Sequence, residues 1–151
     1  MHPTIYYTKK LIKELYQDRG IALFCDFHGH SRCQNAFVYG CRSLELPEAT
    51  KIFPYILSKL NRNFSFEKSK YGLQKSKETT ARITLFRELP HVPAIYTLET
   101  TFAGNSDGLL YTPEILKSIG KDLCRSLIPY CGLNVPFNLK QEKSKTVEEK
   151  H

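Results

Sequence analysis

With 151 residues, 41% of them hydrophobic and 25% charged, the chain is long enough for one domain with a real core and too short for two comfortable ones. A formal net charge of +7 favours acidic partners through the long-range field, and nucleic acid, an anionic membrane surface and an acidic protein tail all fit. No apolar run approaches the roughly 18 residues that span a bilayer, so a membrane-spanning chain is not expected, and Met1 to Thr4 lack the regions of a signal peptide.

The five cysteines, Cys25, Cys33, Cys41, Cys124 and Cys131, form an odd set without a C-x-x-C pair, which argues for reduced thiols in the cytosol. Cys25 reads as a core residue. Cys33 and Cys41 follow the histidine-rich stretch, but their spacing matches no structural zinc pattern, so they are expected to pack.

In chain order, His2 to Asp18 places Tyr7, Leu11, Ile12 and Leu15 at helical spacing, opposite Lys9, Lys10, Lys13 and Glu14, and Gly20 ends this helix. Ile21 to Cys25 then read as a short buried strand of a parallel sheet with both faces covered. The run stops at Phe27-His28-Gly29-His30-Ser31-Arg32. These histidines are expected at the carboxyl end of the strand, where open α/β sheets bind ligands, with Gly29 in a small turn that admits a close approach. They fit either metal ligation or ordinary hydrogen-bonded polar roles. Asn35 to Gly40 read as a second strand.

Pro47 opens a helix in its first turn beside Glu48, and Ile52, Phe53, Ile56, Leu57 and Leu60 form its buried stripe before Asn61 to Asn63. From Arg62 to Arg87 the chain turns basic, with Phe64, Phe66 and Tyr71 interleaved. Such a run is either a solvated face or, where Lys75 and Lys77 lead into Arg82 at the start of an apparent strand Ile83-Thr84-Leu85-Phe86, a group of cations converging on an anion. Ala94 to Phe102, rich in β-branched and aromatic residues, is a strand that Glu99 interrupts. A carboxylate there is paired, coordinated or used, because burying it otherwise is costly. Thr112-Pro113-Glu114 starts a helix with a capping hydroxyl and a first-turn proline, and Ile115, Leu116, Ile119, Leu123 and Leu127 supply its buried face. The domain is expected to span 1–134, with 135–151 a charged, disordered tail.

Taken together, these segments resemble the C-terminal half of the catalytic domain of the cytosolic carboxypeptidases, zinc peptidases that trim glutamates from tubulin and other proteins. The resemblance is carried by His2-Pro3-Thr4-Ile5-Tyr6, by Asp26 to Arg32 with Asn35 and Phe37 to Gly40, by Ser76-Lys77-Glu78 with Ala81-Arg82, and by Tyr96 to Phe102. It implies an α/β fold, part of a zinc-carboxypeptidase-like domain with a mixed, largely parallel sheet flanked by helices. It implies that His28 is the last of three protein ligands to Zn2+ and that His30 and Ser31 neighbour the substrate cleft. Glu99 would be the general base, and Arg82, with Lys75 and Lys77 around it, would select an acidic side chain. The implied partner is an acidic protein substrate such as a polyglutamylated tubulin tail. The implied location is the cytoplasm, microtubules and cilia included.

The family's first zinc motif, His-x-x-Glu, occurs nowhere in this chain, and it, the substrate-binding arginine and an asparagine-containing segment are expected upstream of Met1. The expectation is therefore an incomplete catalytic domain, inactive alone and either poorly soluble or partly unfolded. A competing expectation is a non-catalytic module that binds acidic tails without cutting them. A nucleic-acid-binding domain is the weakest of the three, since charge and interleaved aromatics come without any motif of that class, and neither nucleic acid nor membrane is an expected partner. Oligomeric state stays open.

Overall fold

The computed structural model describes residues 2–43, 45–89 and 91–133. The order of elements is α1 (Pro3–Arg19), β1 (Phe24–His30), β2 (Ala36–Tyr39), α2 (Ala49–Leu60), a 3₁₀ turn (Lys75–Lys77), α3 (Ala81–Glu88), β3 (Ile95–Thr101) and α4 (Pro113–Tyr130). The strands form a three-stranded sheet in the order β1-β3-β2. β1 pairs with β3 in parallel and β2 pairs with β3 antiparallel, so the sheet is mixed, as expected for this α/β chain.

Side chains alternate across a strand, and here the alternation gives the sheet two unlike faces. One face, with Ala36, Val38, Tyr96 and Leu98, packs on Phe53 and Leu57 of α2 and on Ile119 and Leu123 of α4. Complete burial of a side chain such as Leu57 contributes about 1.5–3 kcal/mol. A second, smaller cluster joins Leu85 and Leu89 of α3 to Val92 and Ile95, with Ile12 and Tyr16 of α1 packed against it. This cluster lies at the start of β1 and β3. Beyond it, at their carboxyl ends, the face opposite α2 and α4 is free to carry polar groups.

Local sequence accounts for most boundaries. Gly20, at φ 74°, ends α1 by donating its N–H to the Tyr16 carbonyl. Thr112 accepts from the Ile115 N–H at 3.4 Å, with Pro113 as the first residue of α4. Asn61 ends α2 with its N–H on the Leu57 carbonyl, and its side chain donates to Asp122 of α4 at 2.8 Å.

Several expectations are corrected. The first strand begins at Phe24, not Ile21, and holds both histidines within it. It is an edge strand of this sheet and only partly buried, because among the described residues nothing pairs with its outer side. Gly29 lies in that strand opposite Thr100 rather than in a turn, and the ring of Phe102 fills the space a side chain would take, 2.2 Å from where its Cβ would stand. Ile83 to Phe86 belong to helix α3, since a four-residue apolar run does not distinguish helix from strand and packing of Leu85 and Leu89 decided it. The helix expected from Pro47 begins at Ala49, with Glu48 as its cap. Ile52 and Leu116 are exposed rather than part of buried stripes, and Cys33 is exposed rather than packed. The expected tail at 135–151 lies outside the described residues.

Candidate active site

In register, His28 of β1 stands beside Glu99 of β3, which in turn stands beside Phe37 of β2. Residues two apart share a face, so Asp26, His28 and His30, Thr97, Glu99 and Thr101, and Phe37 and Tyr39 form one surface. It is the face opposite α2 and α4. The beginning of α3 and the 3₁₀ turn border it, and the result is a groove of about 500 Å³. Asp26, His28, His30, Ser31, Arg32, Tyr39, Lys77, Arg82, Thr97 and Glu99 are among its lining residues.

Of the residues singled out in the sequence, His28, His30, Ser31, Lys77, Arg82 and Glu99 therefore come together, although 71 positions separate the extremes by number. Lys75 does not. It shares the 3₁₀ turn with Lys77 but lies outside the groove lining, because positions two apart on a three-residue turn point in different directions.

Each side chain is held differently. His28 Nε2 lies 2.9 Å from Asp26 Oδ2. A carboxylate only accepts, so Nε2 carries the hydrogen and Nδ1 of the neutral ring keeps its lone pair open. His30 is used the other way round: its Nδ1 accepts the backbone N–H groups of Arg32 and Cys33, both at 3.0 Å. Its neutral form then has Nε2–H as a donor, and its ring meets Phe37 edge-on at 5.3 Å.

Arg82 is 4% exposed, far below what is usual for arginine. Helix α3 aims it at the end of β2, where Nη1 donates to the Gly40 carbonyl at 2.7 Å and to Cys41 Sγ at 3.1 Å. The guanidinium also lies 5.9 Å from the centre of the Tyr39 ring. Its Nε is buried and has no hydrogen-bond partner among the described residues. Burial pushes the Tyr39 phenol up, with the negative charge available to Cys33 and Glu99 adding to this and Arg82 opposing it. Burial likewise pushes the Cys41 thiol up against the opposing field of Arg82, so the sulfur facing the guanidinium stays a neutral thiol.

The chemistry available is that of a carboxylate on a half-buried strand, a histidine with one open nitrogen and a buried cation with an unused donor. Glu99 can take up and deliver a proton, and Arg82 can bind an anion where water is largely excluded. As a metal ligand His28 fits, with Nδ1 open and Nε2 oriented by Asp26 in the manner of histidines at metal centres. His30 does not fit through Nδ1, which is taken. Among the described residues no three His, Cys, Asp or Glu side chains are grouped to hold an ion. The described residues therefore do not form a complete metal centre, and His28 is the one among the sequence candidates with a ring nitrogen open to a metal.

Asp26, Thr97, Tyr39, the Gly40 carbonyl and Cys41 Sγ were not given site roles in the sequence analysis. Asp26 had a usable signal, two residues before His28 in a strand and hence on its face. The Gly40 contact had none.

No family model matches the chain. It is 40% identical over 136 residues to cytosolic carboxypeptidase 2 of Mus musculus, a match covering 85% of this chain and 16% of that protein. It is 39% identical over 140 residues to cytosolic carboxypeptidase 3 of the same species, covering 85% of this chain and 14% of the relative. The chain therefore spans about a sixth of the length of the curated relatives it matches. In fold it resembles a metallo-carboxypeptidase from Burkholderia cenocepacia, with a TM-score of 0.64 at 15% identity over 80% of this chain and 33% of the other. A metallo-carboxypeptidase from Pseudomonas aeruginosa, solved with (2-guanidinoethylmercapto)succinic acid, gives a TM-score of 0.64 at 16% identity over 81% of this chain and 35% of that one. Over most of its length, the chain is homologous to one segment of the cytosolic carboxypeptidases and shares its fold with part of a metallo-carboxypeptidase domain.

Proposed function

We propose that this chain forms part of the active site of a zinc metallocarboxypeptidase that removes glutamates from acidic protein tails, polyglutamylated tubulin among them, in the cytoplasm. The observation that supports this most is the convergence of His28, Glu99 and Arg82 on one groove at the carboxyl ends of β1 and β3. Glu99 is the general base that takes a proton from the attacking water and passes it to the leaving amine. Arg82, whose guanidinium borders the groove, receives the acidic side chain, with Lys77 adding to the field, while His30 donates from Nε2 and Ser31 borders the bound residue. His28 offers Nδ1 as one of three protein ligands. When bound, zinc supplies a polarised carbonyl and a water of lowered pKa.

A second reading, binding of acidic tails without cleavage, is favoured for the 151-residue chain by itself, because its described residues do not group three metal ligands. Replacing the matching segment of mouse cytosolic carboxypeptidase 2 with this chain separates the two. Release of glutamate from a glutamate-ended peptide by the chimaera, lost by about 10²-fold or more in Glu99→Gln, supports the enzyme. A folded, zinc-loaded chimaera that binds the peptide and releases nothing supports the binding module.

A further inference from the structure

A second groove opens beside the first and shares Ser31 and Arg32 with it. Its volume is about 610 Å³. Arg32, Lys68 and Lys70 line it, together with small or neutral side chains, and among the described residues no carboxylate does. Among the described residues none of these three cations is in an ion pair with a carboxylate.

The groove wall is built rather than incidental. Residues 64–70 run alongside β2, fixed by the Ser65 N–H on the Ala36 carbonyl at 2.7 Å, the Lys70 N–H on the Val38 carbonyl at 2.9 Å and the Gly40 N–H on the Lys70 carbonyl at 2.8 Å. Lys68 Nζ is anchored on Asn35 Oδ1 at 2.8 Å and on the Gln34 carbonyl at 3.3 Å. Asn35 itself is buried at φ 70° and also accepts the Ser106 N–H at 3.3 Å. An ammonium held by two neutral acceptors keeps its whole charge for a third partner.

We propose that this groove is a binding site for acidic residues that lie upstream of the residue held at Arg82, so that an extended acidic peptide occupies both grooves and crosses between them at Ser31 and Arg32. The inference rests on the carboxypeptidase reading for its direction, since the chain of a peptide whose last residue sits in the first groove must leave by a neighbouring one. Charge selects an anion and the lining selects a peptide. Among the described residues no aromatic side chain lines the second groove to give a platform on which nucleic-acid bases would stack. Carboxylates spaced along a peptide suit three cations spaced along a wall.

The test is a binding titration of the full 151-residue chain with N-acetylated peptides of one, two, four and six glutamates carrying a free C-terminus. Affinity is expected to rise with length up to four and then level off. Lys68→Gln and Lys70→Gln should each weaken the four-residue peptide by about two- to fivefold and leave the single glutamate unchanged. Lys70 has no side-chain hydrogen bond to lose among the described residues, so it keeps the test sound if Lys68→Gln loosens the fold. Affinity that is the same at every length, or unmoved by Lys70→Gln, overturns the second site. Tighter binding of a single-stranded oligonucleotide of equal charge than of the six-glutamate peptide overturns the peptide assignment. The first groove is read separately. If C-terminal amidation and Arg82→Met leave all peptides unaffected while length and Lys70 still matter, the carboxypeptidase reading fails and the basic site stands.

Discussion

Replacing Arg82 by methionine and by alanine tells a ligand-facing guanidinium from a structural strut. The charge-assisted bond from Nη1 to the Gly40 carbonyl at 2.7 Å is worth about 1.5–3 kcal/mol, and both variants lose it. Both also relieve a buried Nε that has no partner, an unsatisfied donor that costs about 1–3 kcal/mol. For Arg82→Met these terms nearly cancel and the thioether fills most of the space, so stability should stay within about 1 kcal/mol, a shift in Tm of roughly 2–4 °C. Arg82→Ala additionally leaves a cavity in a position only 4% exposed, at a further cost of about 2–5 kcal/mol. The chain has no tryptophan, so urea unfolding is followed by far-UV circular dichroism. Binding of a glutamate-ended peptide, followed by calorimetry, should fall about 10- to 150-fold in Arg82→Met, the worth of one charge-assisted bond. If methionine destabilises as much as alanine and peptide binding does not change, Arg82 is a strut between α3 and the end of β2, and its role as an anion receptor is refuted.

Two glycines offer a contrast, because a Cβ at either would press equally close on a neighbouring atom. A Cβ at Gly104 would stand 2.2 Å from the Leu109 carbonyl oxygen, a backbone atom, and Gly104→Ala should destabilise by about 1–3 kcal/mol in the same urea assay. Gly29→Ala meets only the ring of Phe102, which is 76% exposed and can swing away, so its cost should stay below about 1 kcal/mol. Equal costs would mean that the Phe102 ring is not free to yield. Asp26→Ala should remove the acceptor that holds the hydrogen on His28 Nε2, and ¹⁵N spectra of the imidazole should change from one tautomer to a mixture; an unchanged spectrum would show that Asp26 does not orient the ring. Lys9 of α1, opposed by a smaller burial effect and then helped by the ion pair with Lys13, holds the Glu88 carboxyl below the usual glutamate range. A depressed carboxyl contributes stability that is present above its unfolded pKa and lost as pH falls through the folded one. Glu88→Gln should therefore lose stability at neutral pH and flatten the acid limb below the ordinary glutamate pKa, and an acid limb as steep as in the parent would place the dependence elsewhere.

The chemistry of this chain was legible where polar residues break an apolar pattern. His28 and Glu99 stand out because each interrupts a strand-forming run, and Thr112-Pro113 marks the start of α4 because a capping hydroxyl and a proline suit the first turn whatever lies around them. Such signals depend on the chain within a few residues, and the sequence holds all of that. The identity of α3 did not, since Ile83 to Phe86 satisfy either period and only the cluster of Leu85, Leu89, Val92 and Ile95 chooses the helix. Nor did the inclusion of Lys77 and exclusion of Lys75, which depends on the direction of one 3₁₀ turn. Long-range partners were equally closed to view: Arg82 is set by Gly40 and Cys41 from the end of a strand 42 and 41 positions away, and the second basic groove by Lys68 meeting Asn35. The sequence by itself determined which residues could do chemistry. Their convergence came from the β1-β3-β2 strand order, because pairing across the sheet fixes neighbours that no local pattern encodes.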